Sequence, residues 1–253
     1  MFKNKSTLVV FGDSNVWGAE MANCPELQRD FKTIVYDPSN IEIWPHHIRY
    51  SFSGLLAERH DMKLLNLSIP GSSNDTIFRR INNFLQGQYP VDLDECFVMI
   101  FWTSVERREF RQPVTYEDKY FNYSPTWAHL YRESSKIKFH KIYSRFIFSE
   151  EHDLIKTFNY IYSINGLLCY KGIEFVQGYS LFKNELYELV KEHKLPNFIS
   201  NYFEDSIHSI AAVAADHRPC PNLYQFTGSH PTELGHVAIA DRYEQLLKQR
   251  QAT

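Results

Sequence analysis

Two side chains in the sequence have the types and settings expected of a nucleophile and its base. Ser14 follows an apolar run from Leu8 to Phe11 in TLVVFGDSNVWG, and the change to Gly-Asp-Ser predicts a buried strand that opens into a tight turn. His230, in GSHPTELGH, lies in a predicted loop just before a helix. A serine hydroxyl needs a base to take its proton and donors to stabilise the resulting oxyanion. The pattern therefore indicates acyl transfer, if both residues meet above one sheet edge.

Each of these residues also has a plain structural interpretation. Gly-Asp-Ser is a common polar turn, and any one of the 11 histidines is more often structural than catalytic. His236, inside the last predicted helix, is a weaker candidate for the base and is expected to pack or cap there. Asp13 is expected to stabilise its turn through backbone contacts rather than to take part in the chemistry.

The elements that would position these residues alternate between strands and helices. Apolar runs of strand length extend over Leu8 to Phe11, Lys63 to Ile69, Cys96 to Trp102 and Ile173 to Val176. Because the third run is apolar throughout, we expect it at the centre of the sheet, covered on both faces. The alternation predicts a doubly wound parallel sheet with helices on both faces.

Helical periodicity predicts four helices, at about 51–60, 73–85, 149–171 and 231–248. Ser51 or Ser53 is expected to cap the first helix, and Ser73 or Asn74 the second. Gly172 is well placed to end the third.

The buried faces of these helices are predicted from the spacing of their apolar residues. The second helix is expected to bury Ile77, Ile81, Phe84 and Leu85, the third Ile155, Phe158, Tyr162 and Leu168, and the last Val237, Ile239, Tyr243, Leu246 and Leu247.

Other stretches lack clear periodicity. Residues 19–50 are predicted to form a long loop or short broken helices, and residues 103–149 an insertion within a single domain of 1–253. Weaker helical signals at 184–191 and 205–214 precede a proline-containing loop over 216–230.

Three motifs resemble the SGNH, or GDSL-type, hydrolase family. They are FGDS with Ser14, NLSIPG ending at Gly71, and His230-Pro231 followed by Gly235-His236. They occur in the family's order and span nearly the whole chain. Residues 14, 71 and 102–104 each follow a predicted strand, where ligands bind in doubly wound folds.

The resemblance implies a flavodoxin-like, three-layer α/β/α sandwich with a central parallel sheet. It further implies ester hydrolysis without a metal or other cofactor, often on acetyl esters of carbohydrates or on lipid acyl esters. Ser14 would be the nucleophile, His230 the base, and the N–H groups of Ser14 and Gly71 oxyanion donors.

Two positions depart from the family pattern. The third block usually has G-x-N-D, whose Asn side chain donates to the oxyanion, whereas Ser104 occupies that position here. A hydroxyl of Ser104 or Thr103, or the amide of Asn74, is expected to donate instead.

The second departure concerns the acid, usually an Asp three residues before the catalytic His, which is Thr227 here. The sequence predicts a Ser14–His230 dyad in which a backbone carbonyl near Thr227 accepts the other ring proton. Asp205 and Asp216 are alternative carboxylates that nothing in their spacing selects.

Further residues near the predicted site have two interpretations each. An arginine in Arg107-Arg108-Glu109 could bind an anionic or sugar substrate, although a solvated charge run or a structural ion pair is the commoner outcome. The nearby tryptophans could form a sugar-stacking platform, with core packing as the default; they are Trp17, Trp44 and Trp102.

Composition excludes several classes of protein. With 27 Lys plus Arg against 30 Asp plus Glu, the net charge is -3, which is not the footprint of a nucleic-acid binder. No stretch has the roughly 20 apolar residues of a membrane span. The apolar run at Leu8 to Phe11 is too short for a signal-peptide core, so we expect a soluble, cytoplasmic protein.

The cysteines indicate neither a disulfide framework nor a metal site. Cys24, Cys96, Cys169 and Cys220 are widely separated, so buried free thiols are expected. His217 and Cys220 have a ligand-like spacing, but no second pair accompanies them.

The sequence therefore favours a metal-independent serine esterase acting on an O-acetyl or other short acyl ester, with a carbohydrate ester as the preferred substrate class. The alternative is a binding or structural protein that keeps the fold without the activity. The pattern also resembles SGNH-type proteins encoded by tailed phages, which would make virion association an option. A phosphate-binding domain is disfavoured, because no P-loop or dinucleotide fingerprint is present. Oligomeric state is left open.

Overall fold

The structure is a computed structural model that describes residues 2, 4–18, 35–111, 127–130, 149–181, 203–207, 210 and 230–251. Its strands are β1 (Thr7–Phe11), β2 (Val35–Tyr36), β3 (Lys63–Asn66), β4 (Cys96–Trp102), β5 (Arg108–Arg111), β6 (Trp127–Leu130) and β7 (Glu174–Tyr179). Its α-helices are α1 (Ser14–Trp17), α2 (His46–Arg49), α3 (Phe52–Arg59), α4 (Asn74–Leu85), α5 (Glu150–Tyr170) and α6 (Glu233–Gln251).

A mostly parallel sheet organises the described part of the chain. Its strand order is β2-β3-β1-β4-β7, and β5 pairs with β6 in a separate two-stranded sheet. β1 lies parallel to β3 and β4, and β7 lies parallel to β4, whereas β2 is antiparallel to β3. The predicted fold class is therefore confirmed, with an antiparallel strand next to β3 that the sequence analysis did not find.

Helices cover both faces of this sheet because its strands are apolar on both sides. Leu8 and Val10 of β1 pack in one core cluster with α3 and α6. Val9 and Phe11 pack in a second cluster with α4 and α5. Side chains alternate across a strand, so neighbouring residues of β1 enter different layers.

The predicted caps of α3 and α4 are present as Ser51 and Ser73, and Ser149, where the sequence predicts the start of α5, is the N-cap of that helix. Each of the three side chains accepts a hydrogen bond from a backbone N–H of the first turn. Gly172 follows α5 with a φ of +67°, a left-handed conformation that glycine adopts without strain.

Three expectations about the strands need correction. β1, rather than β4, is the middle strand of the described sheet, although all seven residues of β4 are buried as predicted. β3 ends at Asn66, whose side chain accepts a hydrogen bond from Ser68 N–H and turns the chain. β7 continues past Val176 to Tyr179 because it pairs with β4 as far as Trp102, whose indole N–H donates a hydrogen bond to the buried Gln177 side chain.

The predicted buried face of α5 is partly wrong. Ile155 and Tyr162 are 50% and 55% exposed, whereas Ile161 and Ile164 are fully buried with Leu168. The helix turns a different stripe to the core because Asp153, also fully buried, forms an ion pair with Arg108 of β5. The faces of α4 and α6 agree with expectation, except that Val237 and Leu246 are half-buried.

The structure describes only parts of the remaining regions. Residues 35–50 form short elements, including a 3₁₀ helix over Pro38–Ile43, as expected of broken helices. The insertion contributes β5 and β6. Predictions for 184–191, for most of 205–214 and for 216–229 lie outside the described residues. The single-domain organisation stays a prediction.

Cys96 is a buried free thiol, and burial raises its pKa to about 12, whereas Cys169 is exposed, against expectation. Cys24 and Cys220 lie outside the described residues. Within the described ranges, no helix combines the length and the apolar character needed to cross a membrane.

The corrected face of α5 gives a stability prediction. Ile161→Ala should lower the free energy of unfolding by about 2–5 kcal/mol, because it removes core methyl groups and leaves a cavity. Ile155→Ala, on the same helix, should change it by less than about 0.5 kcal/mol. Urea denaturation of both variants measures the difference, and equal losses would contradict this assignment.

Candidate active site

The structure brings together the two residues that the sequence pairs for chemistry. Ser14 Oγ lies 2.7 Å from His230 Nε2, although 216 positions separate them in the chain. Ser14 lies just past the carboxyl end of β1, and His230 lies three residues before α6. This distance is what proton transfer from a serine hydroxyl to an imidazole requires.

The backbone of residues 12–14 aims Ser14 at this edge. A Cβ added at Gly12 would lie 2.3 Å from Val16 Cγ2, so glycine is needed for the chain to turn this tightly. Asp13 caps α1, with its carboxylate accepting a hydrogen bond from Asn15 N–H at 3.0 Å. Ser14 is the first residue of α1, a position whose backbone N–H has no acceptor inside the helix.

A carboxylate contact anchors the start of the helix that follows His230. Glu233 opens α6, and its Oε1 lies 2.5 Å from His46 Nε2 in α2. This contact ties the segment after His230 to a region that the sequence analysis treated only as loop or broken helix.

His236 has a structural role. It is fully buried, its ring is stacked near Phe52, and its Nδ1 accepts a hydrogen bond from Phe52 N–H at the start of α3. Burial, aided by the nearby His230, lowers the pKa of His236 to about 3, so the ring is neutral at physiological pH. These contacts agree with packing and capping rather than with the role of base.

Gly71 and Ser104, two of the expected oxyanion donors, lie in the loops after β3 and β4. Gly71 has a φ of +78°, a conformation that suits glycine at the turn after β3. Ser104 is half-buried, and its Oγ accepts a hydrogen bond from Glu106 N–H at 3.2 Å, which leaves the hydroxyl hydrogen for another acceptor.

Two expected oxyanion donors have other partners. The Thr103 hydroxyl donates to Asp13 Oδ2 at 2.6 Å. The Asn74 amide donates to Thr103 O at 2.9 Å and to Thr157 Oγ1 at 3.2 Å, while its oxygen accepts from Thr103 N–H. These hydrogen bonds hold the end of β4 in place and occupy the donor hydrogens of both side chains.

The carboxylate of Asp13 joins three strand ends. It has no exposure to solvent and accepts hydrogen bonds from Thr103 after β4, from Ser180 after β7, and from Arg107. Burial alone would raise the pKa of Asp13, but the Arg107 charge and the hydrogen bonds from Thr103, Ser180 and Asn15 hold it below its ordinary value. Asp13 therefore does more than stabilise its own turn.

The basic run after β4 forms structural ion pairs. Arg107 pairs with Asp13, and Arg108 pairs with Asp153. The commoner of the two interpretations of this run therefore applies to both arginines.

The aromatic and acidic candidates also have structural contacts. Trp17, Trp44 and Trp102 are all buried, which favours core packing over a sugar-stacking platform. Asp205 accepts a hydrogen bond from Arg242 and forms an ion pair with it, which gives this carboxylate a structural partner. Asp216 and Thr227 lie outside the described residues.

Sequence reasoning missed most of the network around Asp13. Ser180 was overlooked because the strand before it was predicted to end at Val176. For Arg107 the sequence allows substrate binding, a solvated charge run or a structural ion pair, and it does not indicate Asp13 as the partner. The available signal was the acidic residue itself, because a carboxylate in a buried turn needs a cation or several donors.

No protein-family model matches this chain, and no curated protein matches it. Solved structures do. A member of the lipolytic G-D-S-L protein family from Veillonella parvula matches with 11% identity and a TM-score of 0.51, over 95% of this chain and 97% of that one. The psychrotrophic esterase EstA from Pseudoalteromonas, in a structure inhibited by monoethylphosphonate, matches with 12% identity and a TM-score of 0.51, over 98% and 100%.

A third match is a catalytic mutant of Axe2, an acetylxylan esterase from Geobacillus stearothermophilus. It has 11% identity and a TM-score of 0.50, over 95% of this chain and 93% of that one. The fold is that of the SGNH hydrolases. At these identities the likeness concerns the fold alone, and the site must be argued from its own geometry. Among the described residues, no group of three or more His, Cys, Asp or Glu side chains is placed to hold a metal ion.

The burial of His236 gives a prediction about how the free energy of unfolding depends on pH. Its pKa of about 3 in the folded state lies below the ordinary value of 6.5, so the unfolded chain binds more protons as the pH falls below 6.5. Stability from this residue is therefore full above that value and is lost progressively towards pH 3. Between about pH 7.5 and pH 5, the wild type should lose about 2 kcal/mol more unfolding free energy than His236→Gln. Urea unfolding at both pH values tests this, and parallel losses would contradict it.

Proposed function

We propose that this protein is a serine ester hydrolase of the SGNH type. The observation that carries the proposal is the 2.7 Å contact between Ser14 Oγ and His230 Nε2 at the carboxyl edge of the sheet. A serine hydroxyl held this close to an imidazole nitrogen can lose its proton to it as the oxygen attacks a carbonyl carbon. The turn at Gly12 and the Asp13 network keep Ser14 in place for that attack.

The proposed reaction has two halves. Ser14 Oγ forms a bond to the ester carbonyl carbon while His230 Nε2 takes the hydroxyl proton, which gives a tetrahedral oxyanion. The imidazolium then protonates the alcohol oxygen as the carbon–oxygen bond to the alcohol breaks, leaving an acyl-serine. Water, deprotonated by His230, attacks the acyl carbon in the same way, and Ser14 regains its proton as the carboxylic acid leaves. Nucleophile and base are both protein side chains, so the steps need no metal.

The oxyanion is proposed to be held by the backbone N–H groups of Ser14 and Gly71 and by the hydroxyl of Ser104. Ser14 stands at the first position of α1, and Gly71 lies on the turn after the neighbouring strand β3. Ser104, after β4 on the other side of β1, is half-buried and has a hydroxyl hydrogen to give. Donors fixed before the reaction stabilise developing charge with little reorganisation.

For the substrate, we propose an O-acetyl or other short acyl ester, carried on a carbohydrate. The match to an acetylxylan esterase of similar length supports this class. The resemblance to phage-encoded proteins, virion association and the cellular location stay predictions.

A fluorophosphonate probe tests the nucleophile. We expect covalent labelling of the wild type, loss of labelling in Ser14→Ala, and unchanged labelling in Ser39→Ala, which removes an exposed serine bonded to Asp37. Mass spectrometry of the labelled peptide identifies the site. Absence of labelling and of acetyl-ester hydrolysis in the folded wild type would favour the alternative, a protein that keeps the fold without the activity.

The substitution of Asn by Ser in the third block predicts a graded effect. Ser104→Ala should lower kcat about 10²–10³-fold, the usual effect of removing one oxyanion donor. Ser104→Asn, which supplies an amide at the same position, should retain much more activity. Steady-state kinetics on an activated acetyl ester gives both values, and wild-type kcat in Ser104→Ala would remove this residue from the proposed hole.

A further inference from the structure

One arginine nitrogen links the three segments that build the proposed site. Arg107 Nη1 lies 3.1 Å from Asp13 Oδ2, 3.0 Å from Thr103 Oγ1 and 3.4 Å from the backbone oxygen of Ser72. Asp13 precedes the nucleophile, Ser72 follows the glycine of the oxyanion loop, and Thr103 precedes Ser104. The side chain of Arg107 therefore fixes the relative positions of all three segments.

The backbone also helps to place Arg107 beside these three segments. Its N–H donates to the carbonyl of Ser104 at 3.2 Å, which closes a turn directly after β4 and sends the chain back towards the site. Its side chain is only 19% exposed, and the carboxylate that it meets has no exposure at all. A charge pair in this setting is screened little by solvent.

We propose that Arg107 is a positioning residue for the nucleophile, acting by compensating the buried carboxylate of Asp13 and by tying it to the Gly71 loop. This inference rests on the proposed esterase function. Arg107 would help to organise the proposed site, in which Ser104 stands where the family pattern has Asn. Arg107 acts through Asp13 and Ser72, not through contact with the reacting atoms.

The chemistry of the Asp13 network explains why the charge matters. Thr103 and Ser180 both donate their hydroxyl hydrogens to the carboxylate, at 2.6 Å and 2.7 Å. Without Arg107, burial would act against the ionised form and raise the pKa of Asp13. A protonated Asp13 is itself a donor, so one of these hydroxyls would have to turn away. The turn that carries Ser14 would then lose part of its support.

The groups in contact with Asp13 determine how the activity of each variant should depend on pH. Thr103, Ser180 and Asn15 are neutral, and Arg107 is the charged group in contact with it among the described residues. The next titratable group is His230, across Ser14. His230 is unchanged in the wild type and in every variant compared below. An additional fall in activity towards acidic pH that only a variant shows, an acid limb, therefore reports on Asp13.

The test compares Arg107→Met with Arg107→Lys and with the double variant Asp13→Asn/Arg107→Met. The readouts are the rate constant of fluorophosphonate labelling and kcat and KM for an acetyl ester, from about pH 5 to pH 8. Arg107→Met should lose about 10²-fold in labelling rate and kcat, the usual effect of a nucleophile displaced by about 1 Å, and its activity should fall further towards acidic pH. KM should change little.

Restoring the cation should recover part of this loss. Arg107→Lys keeps the cation and should show no additional acid limb, even if its single ammonium group restores the geometry only in part. The double variant carries neither charge of the pair, and its amide at position 13 donates as a protonated Asp13 would. It should therefore react about as slowly as Arg107→Met does at acidic pH, with the pH profile of the wild type.

A matched control separates positioning from general destabilisation. Arg108→Met removes the partner of another fully buried carboxylate, Asp153, one residue further along the chain. This variant should be less stable, but its folded fraction should label at the wild-type rate with the wild-type pH profile.

Several outcomes would overturn the inference. These are wild-type labelling with a wild-type pH profile in Arg107→Met, or an equal loss and acid limb in Arg108→Met. If Arg107→Met does not fold, an additional acid limb in Arg107→Lys or in the double variant would do the same. A folded wild type that neither labels nor hydrolyses esters would instead overturn the proposed function, and the inference with it.

Discussion

A carboxylate without solvent exposure, that of Asp13, lies where β1, β4 and β7 end, and the architecture of the site depends on its compensation. A buried charge is tolerated only with a counter-ion and hydrogen-bond donors. Here Arg107 supplies the positive charge, while Thr103 and Ser180 donate from the two neighbouring strands. Satisfying one charge therefore fixes three separate parts of the chain against one another.

This arrangement determines which groups remain for chemistry. Thr103 and Asn74 form hydrogen bonds with each other and with their neighbours, and these hydrogen bonds hold the end of β4 in place. Ser14 and His230 face each other, and Gly71 and Ser104 lie in the loops after β3 and β4, the strands on either side of β1. The supporting residues are hydrogen-bonded to one another, which distinguishes them from the residues proposed to contact a substrate.

The parallel sheet is what allows residues far apart in sequence to meet. Strands β1, β3, β4 and β7 run in the same direction, so their carboxyl ends share one edge. The loops at that edge carry Ser14, Gly71, Ser104 and Ser180. His230 reaches the same edge from the segment before α6, whose first residue, Glu233, is held by His46.

Much of the fold was predictable because its signals are local. The apolar run of β4, the serine caps of α3, α4 and α5, and the Gly172 stop each depend on residues within a few positions. The face of α5 was predicted less well. Ile155 and Tyr162 fit an apolar stripe in the sequence, but the ion pair of Asp153 with Arg108 turns another stripe inward.

The sequence by itself determined the alternation of strands and helices, the turn that presents Ser14, and the motif that singles out His230 among 11 histidines. Only the tertiary structure decided that Arg107 belongs to Asp13, that Ser180 joins them, and that Thr103 and Asn74 are occupied elsewhere. The physical reason is range. Caps, turns and apolar runs follow from neighbours along the chain, whereas compensation of a buried charge depends on which segments the fold brings to it.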